Sequence, residues 1–132
     1  MDLDFSKLDG LLPAVIQDAA SGEVLMLGFM NAEAYAATRS SGEVTFYSRS
    51  RNKLWRKGEQ SGHVLKVRDI RVDCDVDTLL IRVEALGPGV CHEGYRSCFF
   101  RQIIANGEAK VIEDRVFDPN AVYGSAPGKD KK

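Results

Sequence analysis

The period of apolar and polar positions changes several times along the chain, and each change marks an element. Ala14 to Gln17 and Val24 to Met30 are apolar runs, and Asp18-Ala19-Ala20-Ser21-Gly22 between them has turn chemistry. The pair predicts a β-hairpin. Asn31 is placed to cap a helix over Ala32 to Arg39, where Ala34, Ala36 and Ala37 are strong helix formers. Ser40-Ser41-Gly42 ends it. Val44 to Ser48 is β-branched and aromatic, hence a strand. Val64 to Val72 alternates imperfectly, with Ile70, Val72 and Cys74 opposing Arg71, Asp73 and Asp75. Thr78 to Leu86 reads as a long apolar strand, Gly87-Pro88-Gly89 as a turn, and Cys98 to Ile104 as a further strand. A short helix is expected around Phe5 to Leu11. The expectation is an α+β, mainly β fold: a strand-rich single domain with one clear helix.

The chain has 132 residues, enough for one domain. The reading places a lead-in at 1–12, the domain at 13–112 and a tail at 113–132. The end of that tail, from Gly124, is small and charged and reads as disordered. Eighteen Lys+Arg against nineteen Asp+Glu give a net charge of −1. This argues against a nonspecific nucleic-acid binder but leaves room for a local basic patch. The longest mostly apolar run, Val24 to Met30, is too short to span a bilayer. The acidic start Met1-Asp2-Leu3-Asp4 has no secretory-signal features, so a cytoplasmic location without membrane contact is expected.

Asp73, Asp75 and Asp77 fall at i, i+2 and i+4, which on a strand is one face. Like charges so placed repel, and a hard divalent cation such as Mg²⁺ neutralises them. On an ideal strand the outer two sit roughly 13 Å apart. The three carboxylates therefore imply two ions, a bend at Cys74 to Asp77, or help from another segment. The alternative is a solvated acidic strand end. An EF-hand is disfavoured, since Thr78 stands where that loop needs Gly and Leu79 to Val83 is a strand pattern.

The three cysteines, Cys74, Cys91 and Cys98, are spaced C-x16-C-x6-C and each lies beside polar or turn residues. An odd count in a reducing compartment does not suggest a disulfide framework. Three thiolates fill three of the four positions zinc prefers and leave one for water. Ordinary packing of the thiols is the alternative. His92, next to Cys91, is the candidate base or fourth ligand; otherwise it is a hydrogen-bonded loop histidine.

Arg49, Arg51, Lys53, Arg56 and Lys57 fall within nine residues of a near-neutral chain, with Trp55 among them. Trp55, Lys57, Gly58, Ser61 and Gly62 suit a phosphorylated nucleotide: charge pairing and forked hydrogen bonds to phosphate, and stacking on a base. The alternative is a solvated hairpin tip with Trp55 in the core. Gly94-Tyr95-Arg96-Ser97 is a second such element. Glu59 and His63 are titratable neighbours suited to acid–base work.

Taken in order, three segments resemble the phosphoribosyl-AMP cyclohydrolase family. They are Trp55-Arg56-Lys57-Gly58-Glu59-Gln60-Ser61-Gly62-His63, then Asp73-Cys74-Asp75-Val76-Asp77, then Cys91-His92-Glu93-Gly94-Tyr95-Arg96-Ser97-Cys98-Phe99. Gly28-Phe29-Met30-Asn31 and Thr45 to Ser50 are also similar. The resemblance covers roughly residues 10 to 105. It implies a single-function hydrolase that opens the adenine ring of 1-(5-phosphoribosyl)-AMP at N1–C6 by zinc-activated water, the third step of histidine biosynthesis. It further implies Mg²⁺ on Asp73, Asp75 and Asp77. Zinc would lie on Cys74, Cys91 and Cys98, in an intertwined homodimer whose zinc ligands come from both chains. On that reading Arg49, Arg51, Lys57 and Arg96 meet the two phosphates and His92 relays a proton. The competing readings are a non-enzymatic zinc- and RNA-binding module with a closed site including His92, and a nucleobase deaminase that releases ammonia.

Overall fold

The computed structural model describes residues 1–123. The expected disordered end lies outside the described residues. Strand β1 (Leu12–Asp18) turns back into β2 (Val24–Met30), antiparallel and in register from Leu12 with Met30 to Ile16 with Met26. Alternation sets the faces: Leu12, Ala14 and Ile16 are fully buried, while Pro13, Val15 and Gln17 lie half out. This is the hairpin expected from the two apolar runs.

Helix α1 (Ala32–Ser41) starts where Asn31 accepts the Ala34 N–H at 2.8 Å and ends at Gly42. It buries only Ala34 and Thr38. Thr38 Oγ1 donates to Ala34 O at 2.9 Å and accepts the Thr45 N–H at 3.0 Å, so it ties the helix to β3 (Thr45–Ser48). Strand β3 pairs with β4 (Lys53–Arg56), so the basic segment is built on a hairpin. Trp55 is buried and Leu54 half-buried between exposed Lys53 and Arg56.

The alternating stretch forms β5 (Leu65–Val72) and the long apolar run forms β6 (Leu79–Ala85), an antiparallel pair with a bulge between Val67 and Asp69. That bulge accounts for the imperfect alternation of β5. Strand β6 lies parallel to β1, which gives the four-stranded order β2-β1-β6-β5. Its Leu79, Ile81 and Val83 join Leu12, Ala14 and Ile16 in one core with Leu25, Met26, Met30, Val44, Phe46, Trp55 and Leu65.

Two expectations are corrected. Residues 5–11 form turns and a bridge between Leu8 and Leu11, not a helix. Asp9 and Gly10 both take positive φ there, which helical hydrogen bonding cannot accommodate. Of the strand expected over Cys98 to Ile104, only β7 (Arg101–Ile103) forms, paired with β8 (Ala109–Val111). Cys98 instead bonds to β2 through its backbone, which takes it out of that ladder. A short helix α2 (Pro119–Tyr123) closes the described chain. Among the described residues no helix is long and apolar enough to cross a membrane.

Candidate active site and metal centres

Asp73, Asp75 and Asp77 do not lie on a strand. Strand β5 ends at Val72 and β6 begins at Leu79, and the acidic residues form the turn between them. Of the arrangements weighed, the backbone bend is present. Asp73 Oδ1 accepts the N–H groups of Asp77 at 3.1 Å and Thr78 at 3.2 Å, which folds the turn over itself. Val76 takes φ 60°, a costly conformation for a β-branched residue. One ligand oxygen from each aspartate then falls within 4.8 Å of the others. The roughly 13 Å separation of an ideal strand is gone. The helices that an EF-hand requires are absent from both flanks of this turn.

Lys7, from the lead-in, is the residue the sequence reading missed here. Its Nζ lies 3.1 Å from Asp75 and 2.8 Å from Asp77. That ammonium holds the Asp77 carboxyl down to about 2, and raises the Lys7 amine in return. Lys7 also lines an open groove of about 720 Å³ with Arg49, Tyr47, Phe29 and Leu11. The Arg49 guanidinium sits 4.2 Å above the Phe29 ring. Nothing local to Lys7 signals this, because its partners are some seventy positions away.

Cys91 and Cys98 come together. Their thiols share a hydrogen bond, and this lowers the Cys91 thiol to about 6 against the opposing effect of burial. The Glu93 and Tyr95 N–H groups assist. The loop between them is stitched to the β1–β2 hairpin. Cys98 N–H donates to Leu25 O at 2.7 Å, and the buried Ser97 Oγ donates to Val24 O at 2.8 Å. Arg96 reaches Glu23 at 2.6 Å and Asp18 at 3.4 Å. That pairing occupies the guanidinium expected to meet phosphate.

Cys74 is elsewhere. It lies exposed on the acidic turn after β5, at one edge of the sheet, whereas Cys98 is bonded to β2 at the other. Three strand spacings of roughly 4.8 Å put about 14 Å between those edges. Sulfurs on one zinc must lie within about 4 Å of each other, given bonds near 2.3 Å. Within one chain, therefore, Cys74 cannot share one ion with Cys91 and Cys98.

The basic segment contributes unevenly. Trp55 is 1% exposed with its ring 5.2 Å from Phe46, so the core placement that the sequence left open is the one present. Lys57 is buried, its Nζ 6.0 Å from the Trp55 ring centre. Arg51 is exposed, and Glu59 is exposed with a carboxylate oxygen 3.3 Å from the Arg56 N–H. Gly58 has φ +89°, and a Cβ there would fall 2.5 Å from the backbone of His63 and Val64. Only glycine lets the 58–62 turn close against residue 63. Ser61 Oγ accepts the His63 N–H at 3.1 Å. His63 Nδ1 lies 3.1 Å from Gly89 O, and its ring stands edge-on to Phe117 at 5.0 Å. The 58–63 turn and the loop leading to Cys91 thus share one rim. His92 sits half-buried on the turn following Cys91.

The family profile for phosphoribosyl-AMP cyclohydrolase matches residues 26–100, which include the acidic turn, both loop thiols and the 58–63 turn. The chain belongs to the phosphoribosyl-AMP cyclohydrolase family. It is 62% identical to the phosphoribosyl-AMP cyclohydrolase of Solibacter usitatus, over 94% of this chain and 98% of that one. It is 51% identical to that of Desulforapulum autotrophicum over 93% and 98%, and 52% identical to that of Methanosarcina barkeri over 95% and 94%. The cyclohydrolase family is a family of hydrolases serving histidine biosynthesis, and the chain is a hydrolase. Membership removes the reading of a non-enzymatic RNA-binding module.

Proposed function

We propose that this chain hydrolyses phosphoribosyl-AMP at the N1–C6 bond of its adenine ring, as the third step of histidine biosynthesis. Zinc would be held by Cys91 and Cys98 with Cys74 of the partner subunit, and Mg²⁺ by Asp73, Asp75 and Asp77. The observation that carries the reading is the Cys91–Cys98 pair, with one thiol already lowered to about 6 and Cys74 across the sheet. Soft, easily ionised sulfur donors suit zinc. The acidic turn fits a hard cation, since its three carboxylates converge and an ammonium already rests on two of them.

A second copy is also supported by apolar surface. The β7–β8 hairpin is exposed throughout, with Ile103 77%, Val111 51% and Ile112 50% exposed, and Phe99 just before it 52%. Such a patch marks an interaction surface. A homodimer that covers it and brings Cys74 across satisfies both observations.

When bound, zinc lowers the proton affinity of water and polarises the ring. The chain's own residues do the rest. Arg49 and Arg51, exposed at the mouth of the β3–β4 hairpin, offer forked donors to the phosphates. The substrate's N1 carries a ribosyl group, which leaves the ring cationic and C6 electrophilic. His92 takes the proton from the attacking water and returns it to N1. His63, held by Gly89 O, keeps the rim in place. The oxygen ends on C6 as a carboxamide, and the C6–N1 bond breaks instead of ammonia leaving.

Protein stripped of zinc loses the ultraviolet change that accompanies ring opening of phosphoribosyl-AMP, and added zinc restores it. Full activity after complete zinc removal ends this account. Ammonia release would identify the deaminase instead.

A further inference from the structure

The lead-in is strapped against the acidic turn by its own backbone. Asp4 N–H donates to Val76 O at 2.7 Å, and Leu3 and Phe5 pack on the core. Asp4 Oδ1 in turn accepts the Ser6 N–H at 2.9 Å. These anchors place Lys7 over the turn, where its ammonium bridges Asp75 and Asp77. The position a cation would take is therefore shared with a charge from the same chain. The Lys7 side chain is 47% exposed, so the pair is weak and easily exchanged. Released, the side chain has somewhere to go. It already borders the groove lined by Arg49, Phe29 and Tyr47.

We propose that Lys7 is a tethered counter-ion of the acidic turn, which a divalent cation must displace and which metal binding frees into the Arg49 groove. This rests on the Mg²⁺ reading of Asp73, Asp75 and Asp77. Without metal, Lys7 screens three converging carboxylates that would otherwise repel. With metal, its charge is delivered beside Arg49, where two cations and two aromatic faces await an anionic, ring-bearing ligand. Mg²⁺ binding and readiness of the groove then become one event.

The test is calorimetric titration of the full chain with Mg²⁺ alone, comparing wild type with Lys7→Met and with Lys53→Met. Lys53 lies exposed on β4 and controls for the loss of one positive charge. Lys7→Met binds Mg²⁺ about two- to fivefold more tightly than wild type, the size of one exposed ion pair, and Lys53→Met shifts less. In parallel, amine labelling with peptide mapping follows Lys7 directly: its modification rate rises on saturation with Mg²⁺. Equal Mg²⁺ affinity in wild type and Lys7→Met, or Lys7 labelling indifferent to Mg²⁺, overturns the proposal and leaves the metal site standing. Failure of every variant to bind Mg²⁺ removes the metal reading and this one together.

Discussion

The thiols of Cys91 and Cys98 share a hydrogen bond, while Cys74 of the same chain sits at the opposite edge of the sheet. The proposed three-thiol zinc centre would therefore take one ligand in trans, and this can be read by mixing. Cys74→Ser and Cys91→Ser should each be inactive and zinc-poor alone. Co-refolded in equal amounts, they form heterodimers in half of the pairs, and each heterodimer holds one intact site of two. Activity should return to about a quarter of wild type. No recovery on mixing, with both variants folded by circular dichroism, would sink the shared site.

The loop that carries Cys98 is held by Ser97, whose buried hydroxyl donates to Val24 O and accepts the Phe99 N–H at 2.9 Å. Ser97→Ala removes both of these part-buried bonds, at a cost of about 1 kcal/mol each. It should also loosen zinc by roughly ten- to hundredfold, as loss of a supporting hydrogen bond around a metal ligand does. Zinc affinity by competition with a chelating dye reads this. Unchanged affinity would show that the loop holds its shape without Ser97.

Asp18 gives the chain an acid-sensitive latch. The Ser21 hydroxyl and N–H donate to it at 2.6 and 2.8 Å, and Arg96 lies 3.4 Å away. The Ser21 bonds, with Arg96 assisting, hold its carboxyl below the usual range despite burial. A carboxylate lowered by folding contributes stability above its unfolded value, and that contribution is lost as pH falls through the folded value. Wild type should therefore exceed Asp18→Asn in urea midpoint at pH 7, and the two should converge on acidification below the ordinary carboxylate range. A gap that stays constant with pH would refute the latch.

Gly28 sits under the Phe46 ring, and a Cβ there would fall 2.5 Å from it. Phe46 in turn leans on Trp55, which closes the core under the β3–β4 hairpin. Gly28→Ala should destabilise by about 1–3 kcal/mol through overpacking, and Phe46→Ala by about 3–5 kcal/mol through cavity formation. Combining them should cost less than the sum, because removing the ring removes the clash. Thermal unfolding of the three variants measures this.

What could be read from the chain alone was local. The β1–β2 hairpin, the Asn31 cap, the Gly42 stop and the long apolar strands depend on residues within a few positions of each other, and periodicity and capping act over that range. The family likeness was legible for a similar reason, since its three segments are each contiguous. The tertiary structure decided which distant pieces meet. It paired β1 with β6 in parallel, drew the aspartates into a turn, hid Trp55 and Lys57, and tied Arg96 to Glu23. It seated Lys7 on carboxylates about seventy residues away, and it left Cys74 far from its sister thiols. Strand order and turn closure settle such contacts through packing of the whole sheet, and no short stretch of sequence carries that information.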